Sequence, residues 1–368
     1  MVQISIRAWY MPLRVRTPTE SCRCPRTSLS VVVRVIAAQF LLCPFIVFAA
    51  DSIPCSSEVV ERGDFDATVR TLRAMYQEDR FIDLDRSIGC LMDARETFDS
   101  GEMGANAVYR FFVAEMPAPG VDADDADRIS KWQKAIPSSS HAEFASLRMM
   151  YGEAWNSRGD RYASGTSQVQ FRDFNLKLQQ TATAILSLEE SKLDTPTAQN
   201  LLLAVALDSP SSKIDVAAVV NSGVEKWPRY YEFYEIILSR TVPKWGGSWE
   251  AVDQYIRYWS ESRKALEGNS LYSRLYYFVH SQGYKNKETL VDWPTMKSSL
   301  QDLVLKYPVA KHRNIAAAYA CIYGDMQLYF ENTHTNIMLN TQIADGWLYG
   351  LSQDECDEHY SVTRPSKQ

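Results

Sequence analysis

Past residue 50, apolar side chains return every three or four positions, the spacing of a helix that buries one face. Phe171, Phe174, Leu178, Thr181, Ile185 and Leu188 form one such stripe between Val169 and Leu188. Trp249, Val252, Ile256, Trp259 and Leu266 form another, with Ser248 placed as its N-cap. Leu271, Leu275 and Phe278 predict a helix opened by Ser270, and Met296, Leu300 and Leu303 follow Pro294, a residue tolerated in a first helical turn. Ala316, Ala317, Ala318 and Ala320 give a small-residue face on which a neighbouring helix can sit closely. Breaks fall at Ser-Arg-Gly-Asp 157–160, Asp-Thr-Pro 194–196, Lys-Trp-Pro 226–228 and Tyr-Gly-Asp 323–325. Their spacing of roughly 30–40 residues, or multiples of it, predicts stacked helix pairs.

Alternating strand patterns are scarce. The expected class is all-α, an irregular α-solenoid of stacked helix pairs, like tetratricopeptide repeats in spirit, after a cleaved N-terminal signal segment. The expected organisation is a signal segment at 1–50, a small N-terminal helical subdomain at 51–116 and an acidic linker at 117–140. A helical-repeat domain at 141–350 and a C-terminal tail at 351–368 complete it. The linker reading rests on Pro-Ala-Pro-Gly at 117–120, the Val-Asp-Ala-Asp-Asp-Ala-Asp run and the serines after Pro137. Its aspartates offer oxygen ligands for calcium but lack the glycine and distal glutamate of an EF-hand loop.

Residues 1–50 differ from the rest in charge. They hold six arginines, no lysine and one acid, Glu20, so the remaining residues carry a formal charge of −11 against −6 for the whole chain. Arg14, Arg16, Arg23 and Arg26 precede an apolar run that continues from Val35 to Ala50, the basic-then-apolar order of a secretory signal. Val47 and Ala49 suit cleavage after Ala49, or one residue later; an uncleaved anchor is the alternative. An exported, periplasmic or secreted protein without a membrane span after cleavage is expected. Four cysteines then remain, Cys55, Cys90, Cys321 and Cys356. Three pairings are open; the local one, Cys55 with Cys90 and Cys321 with Cys356, is preferred, each bridge contributing about 4 kcal/mol on the chain-entropy model. The alternative for Cys321, within Ala-Ala-Ala-Tyr-Ala-Cys, is a buried thiol.

An acidic body without clustered Lys and Arg disfavours nucleic acid as a partner. His141, His280, His312, His334 and His359 show no zinc-peptidase spacing, and Cys356 with His359 is weak as a metal pair. No nucleophile elbow, phosphate loop or dinucleotide fingerprint appears, so neither a cofactor nor a catalytic set is expected, and no carboxylate pair stands out. The distinctive segment is Val-Pro-Lys-Trp-Gly-Gly-Ser-Trp at 242–249. Trp245 and Trp249 flank two glycines that permit unusual backbone or close approach, either as a lock between helix pairs or as an aromatic binding lip. Arg274, in an aromatic helix, must snorkel or find a carboxylate, with Asp253, Asp292 and Asp325 as partners. Trp155, Arg158, Tyr277 and Trp293 complete the candidate binding residues.

Five ordered motifs over roughly 200 residues resemble the bacterial domain of unknown function family 4034: Ala154-Trp155-Asn156-Ser157-Arg158-Gly159, Pro243-Lys244-Trp245-Gly246-Gly247-Ser248-Trp249, Leu271 to Tyr277, Val291-Asp292-Trp293-Pro294, and Ala320 to Asp325. This chain departs in its shorter first motif and in Lys244, where the family pattern has arginine. The resemblance implies a helical fold and no activity. Stacked helices with aromatic and basic residues point to an exported binding protein that engages a protein or peptide on a concave aromatic face near Trp245, Trp249 and Arg274. The alternatives are an envelope hydrolase or a structural adaptor.

Overall fold

A computed structural model describes residues 64–93, 97–115, 123–159, 161, 163–209, 214–341, 345–348 and 350–360. The signal segment and Cys55 therefore lie outside the described residues. Among the described residues the regular structure is helical; there is no strand, only an isolated bridge between Thr97 and Met103.

The first part comprises α1 (Phe65–Gln77), α2 (Phe81–Asp93), α3 (Gly104–Arg110, continued by a π-helical turn, Phe111–Glu115), α4 (Ala123–Ala135), α5 (Ser140–Arg158), α6 (Gln168–Leu186), α7 (Glu190–Leu193) and α8 (Pro196–Asp208). The second comprises α9 (Val216–Lys226), α10 (Glu232–Thr241), α11 (Trp249–Ser262), α12 (Lys264–Glu267), α13 (Ser270–Ser281), α14 (Trp293–Lys306), α15 (Ala310–Tyr323), α16 (Met326–Met338) and α17 (Gln353–His359). Contacts run mostly between helices close in sequence, α5 with α6, α13 with α14, α14 with α15 and α15 with α16.

Local chemistry sets the boundaries. Ser248 accepts the Ala251 amide at 3.2 Å and Asp292 the Thr295 amide at 3.0 Å, so both act as N-caps. Pro196 and Pro294 sit in first turns, where the missing amide costs nothing. Ser167 and Gln170 close a capping box ahead of α6. Gly159 and Gly324 end α5 and α15 with positive φ. Each predicted break thus falls at a helix boundary. The predicted stripes are the buried faces: Phe174, Leu178, Thr181 and Ile185 on α6, Val252, Ile256 and Trp259 on α11, and the fully buried alanines on α15.

The segment expected to be an acidic linker is instead largely helical. Residues 123–135 form α4, whose Trp132 is fully buried against Tyr76 and Phe81 and whose Arg128 pairs with Asp79 at 3.1 Å. Nor does the core divide there. One hydrophobic cluster runs from Val69 to Val205 and a second gathers Ala105, Leu203 and residues from Val220 to Cys356. Helices α3 and α8 feed both, Ala107 and Val205 facing the first and Ala105 and Leu203 the second.

Cys321 is no free thiol: it is joined to Cys356, with Cα atoms 6.0 Å apart, and ties α17 to α15. Cys90 is also disulfide-bonded.

Candidate functional site

The sequence-predicted site residues separate into several structures. Trp155, Arg158 and Trp245 do meet. The Trp155 and Trp245 rings sit edge to face at 5.9 Å, and the Arg158 guanidinium lies 5.3 Å from the first ring centre and 5.7 Å from the second. Arg240 lies 5.6 Å from each ring. It forks onto Asp208 at 2.7 and 3.0 Å, and the same carboxylate accepts from Tyr151 at 2.5 Å and Trp155 at 3.0 Å. This set joins α5, α8 and α10 and leaves Asp208 with partners on both oxygens. These contacts are those of a lock between helices. Gly247 makes the turn possible: a Cβ there would lie 1.7 Å from the Thr241 carbonyl oxygen. Trp249 turns elsewhere, edge-on to Tyr284 at 5.1 Å, and Trp293 stacks on Tyr323 at 4.5 Å.

Arg274 has none of its three expected partners. Asp253 takes Arg257 and Tyr276, Asp292 caps α14, and Asp325 takes Lys297 and caps α16. Arg274 instead lies between the Tyr231 and Tyr307 rings, 4.7 Å from each centre. It donates to the Ser100 carbonyl and stands 4.0 Å from Glu102. Gly101 allows this approach with φ +91°; a Cβ would meet the Tyr307 ring at 2.6 Å and Arg274 Nη2 at 2.8 Å. Behind the rings, fully buried Glu267 accepts from Arg229 at 3.1 Å and from Tyr307 at 3.0 Å. Burial works against the Arg274 charge, but Tyr231, Glu102, Glu267 and Tyr307 outweigh it and hold the guanidinium charged.

Glu102 faces two ways, because its charge also acts on a carboxyl pair that the sequence did not single out. Glu232 and Glu235 stand one turn apart on α10, in hydrogen-bond contact with each other. Both keep some accessible surface, yet both are strongly desolvated. A side chain that reaches solvent while protein surrounds it lies in a recess. Burial, then Glu235, pushes the Glu232 carboxyl well above its usual range. Burial, then Glu102, pushes Glu235 up to about 7. Two carboxylates in contact cannot both ionise cheaply, so the pair holds a proton near neutrality.

The cations acting on the pair are Arg110, at the end of α3, and Lys311, on α15. Lys311 pairs with Asp345 at 3.0 Å, and the two bear on Tyr277 of α13, whose hydroxyl burial pushes up. Tyr277 is therefore the one predicted binding residue that belongs to this recess. Tyr109 and Tyr230 stand edge to face at 6.3 Å, each feeling Glu232 more than any other charge. Asn106 holds α3 to this wall by donating to the Arg229 carbonyl at 3.1 Å. Glu102, Arg110, Glu232, Glu235 and Lys311 were missed. The available signal was two acids at i and i+3 in Tyr-Tyr-Glu-Phe-Tyr-Glu, since a carboxylate inside an aromatic helix must be paired, protonated or recessed.

Among the described residues no group of three His, Cys, Asp or Glu side chains is arranged to hold a metal ion, and no helix is long and apolar enough to cross a membrane. No family model, curated protein or solved structure matches the chain. The resemblance drawn from the five motifs accordingly stands on those motifs alone.

Proposed function

We propose that this is an exported bacterial binding protein, an irregular helical solenoid that takes up a peptide or an exposed segment of a protein. The grouping of Glu232 and Glu235 with Arg110, Tyr277 and Lys311, on α3, α10, α13 and α15, carries this reading. It sets desolvated carboxyls and tyrosine rings beside two cations, Arg110 and Lys311, and thus offers both charge signs and apolar area to a peptide. Export is supported by the basic-then-apolar order of residues 14–50 and by the Cys321–Cys356 bridge, which fits an oxidising compartment. The binding residues of this reading move from the Trp245–Trp249 turn to the recess, because Trp155 and Trp245 are engaged with Arg158 and Arg240. A displayed peptide library selected on the wild type and counter-selected on a Tyr277→Ala, Lys311→Ala variant tests it. The expected result is a peptide family that binds the wild type at least ten-fold tighter. Peptides that bind both equally, or no enrichment at all, would sink the reading.

The carboxyl pair supports a second reading, hydrolysis of an envelope polymer or peptide. A protonated carboxyl beside an ionised one is the equipment of general acid–base catalysis. Incubation of a selected peptide with the protein separates the two: intact peptide favours binding. Cleavage that disappears in Glu235→Gln favours the enzyme.

A further inference from the structure

We propose a second binding site, on the outer face of α6, that takes an extended acidic segment of another protein. It uses none of the residues grouped around Glu232 and Glu235 and goes beyond the reading that rests on them. The sequence sets the face. Phe174, Leu178, Thr181 and Ile185 bury one stripe of α6. Roughly a third of a turn away, Gln168, Arg172, Asn175 and Gln179 follow one another at helical spacing. With Phe171 and Leu176 at its edges, this row lines a groove of about 530 Å³, within the ~300–1,000 Å³ of ligand sites. From Gln168 to Gln179 the helix rises ~17 Å, the reach of about five residues of extended chain.

The lining matches a peptide group by group. Gln168, Asn175 and Gln179 carry the amide donors and acceptors that complement a peptide backbone. Phe171 and the exposed Leu176 offer apolar area to a side chain between them. Arg172 is exposed and forms no ion pair among the described residues, so its planar fork is open to a carboxylate.

Charge selects an acid. Residues 51–368 carry a formal charge of −11, yet residues 158–179 hold Arg158, Arg161, Arg172 and Lys177 against Asp160 and Asp173, a positive excess in an acidic body. The interior behind Phe171 adds to it. Arg158 and Arg240 share the Trp155 and Trp245 rings, but the carboxylate there, Asp208, has both oxygens engaged by Arg240. Arg158, only 7% exposed, donates to the Gly159 and Arg161 carbonyls at 3.2 and 3.1 Å and meets no carboxylate among the described residues. Its guanidinium lies 5.9 Å from the centre of the Phe171 ring. A buried cation without a counter-charge is costly. A carboxylate held by Arg172 beside Phe171 supplies one.

The test titrates the full chain, by fluorescence anisotropy, with a labelled pentapeptide of alternating aspartate and leucine, blocked at both ends, and with its counterpart carrying asparagine for aspartate. The acidic peptide should bind at least ten-fold tighter than the neutral one, and more tightly at low salt than at high. Arg172→Glu should remove the preference, and Asn175→Ala should weaken both peptides. Neither residue belongs to the buried stripe of α6, so both variants should melt as wild type does. Arg70→Glu, an exposed change on α1, should keep the preference, which separates the groove from general charge. Equal binding of the two peptides, no binding by either, a preference that survives Arg172→Glu, or one lost in Arg70→Glu overturns the proposal. So does an acidic oligosaccharide, trigalacturonate, that displaces the acidic peptide at its own concentration. The Tyr277→Ala, Lys311→Ala variant should bind the acidic peptide as wild type does. A loss there would place the acid beside Lys311, overturning the groove and leaving the peptide-binding reading intact. Failure of the library selection removes that reading and leaves the groove standing.

Discussion

The two hydrophobic clusters are built from the same element and differ in what is buried with the hydrocarbon. Between residues 64 and 209 the buried polar side chains are mostly hydroxyls and amides, among them Thr68, Ser87, Thr181 and Asn200, with Asp125, Arg158 and the Asp208 carboxylate the charged exceptions. The bulk is rings on rings: Trp132 against Phe81 and Tyr76, and Phe112 against Phe111 and Phe144. Beyond residue 209 the interior also encloses Glu267, Arg313, Asp357, His280 and His312, and Arg274 is nearly as deep. Buried charge stabilises less than hydrocarbon of the same volume and costs heavily when a partner is lost. A charged interior beside the recess therefore fits a part of the molecule built around a site. The first cluster, in contrast, serves as the wall that brings Glu102 and Arg110 to it.

The sharpest way to break this comparison is to remove one partner from the charged interior. Glu267→Ala leaves Arg229 without its carboxylate and strips Tyr307 of its acceptor, and should cost about 3–5 kcal/mol in urea melts. Leu84→Ala in the first cluster should cost about 2–5 kcal/mol through a cavity alone. The two are told apart by repair. A leucine at 84 is restored in part by any apolar residue of similar size, whereas Glu267→Leu should recover little, because Arg229 and Arg274 remain. Full recovery by leucine would mean that the charges contribute nothing specific.

Why the helices were legible and the recess was not follows from the range of the interactions. Helix stripes, the Ser248 and Asp292 caps, the Pro196 and Pro294 starts and the Gly159 and Gly324 stops are settled within a few residues, so they can be read from the chain directly. The Cys321–Cys356 bridge spans a separation of only 35. Arg274, by contrast, finds Ser100 and Glu102 more than 170 residues upstream. Glu232 and Glu235 acquire their character from Glu102, Arg110 and Lys311, on three other segments. The Asp-rich run at 121–127 read as solvated because its charges outweigh its pattern; what it lacked was the view of Trp132, whose burial recruits residues 123–135 into a helix.

The disulfide sharpens the comparison next. It ties α17 to α15 in the second part, so Cys321→Ser with Cys356→Ser should lower stability by about 2–4 kcal/mol. The loss should be concentrated there. Hydrogen exchange should speed up in α15 to α17 and stay unchanged in α1 and α2. Uniform acceleration across both clusters would show that the two unfold as one unit and that the division between them has no energetic meaning.

Acid should also strike the second part first. Thr289 donates to the Asn286 carbonyl, so its oxygen accepts from His280 Nε2 at 3.0 Å, which leaves Nδ1 to accept from Tyr319 at 2.5 Å. The neutral ring is satisfied at both nitrogens, and burial holds its pKa down to about 4; burial, then the Arg274 charge, holds His312 well below its usual range. An unfolded histidine protonates near 6.5, so the unfolded chain binds protons between pH 6.5 and 4 that the native one refuses. The His280 contribution is complete above 6.5 and lost as pH falls to 4, on the order of 3 kcal/mol. The carboxyl pair works the other way. With Glu235 raised to about 7, the native state binds the extra proton, and stability falls as pH rises from about 4.5 to 7. Wild type should show a shallow profile between pH 5 and 6.5, and Glu235→Gln a steep acid limb. In the first part His141 is lowered by burial, with Asp85 and Asp93 opposing, so His141→Asn should change the profile less than His280→Asn.

The smallest effect asks whether the difference between the two parts lies in the helices themselves. Ser167 caps α6 in the first part and Ser248 caps α11 in the second, each by accepting an amide proton from its own first turn, at 3.3 and 3.2 Å. Removing either hydroxyl strands one backbone donor and should cost about 1 kcal/mol. Because the cap is local, Ser167→Ala and Ser248→Ala should cost the same within about 0.5 kcal/mol and should add in the double variant, as distant sites without shared partners do. Equality would place the contrast in what the helices enclose. A Ser248→Ala loss of several kcal/mol would instead mean that the Gly246–Gly247 turn is coupled to the Trp245 lock it follows. The glycine turn would then belong to the scaffold of that lock as much as to the start of α11.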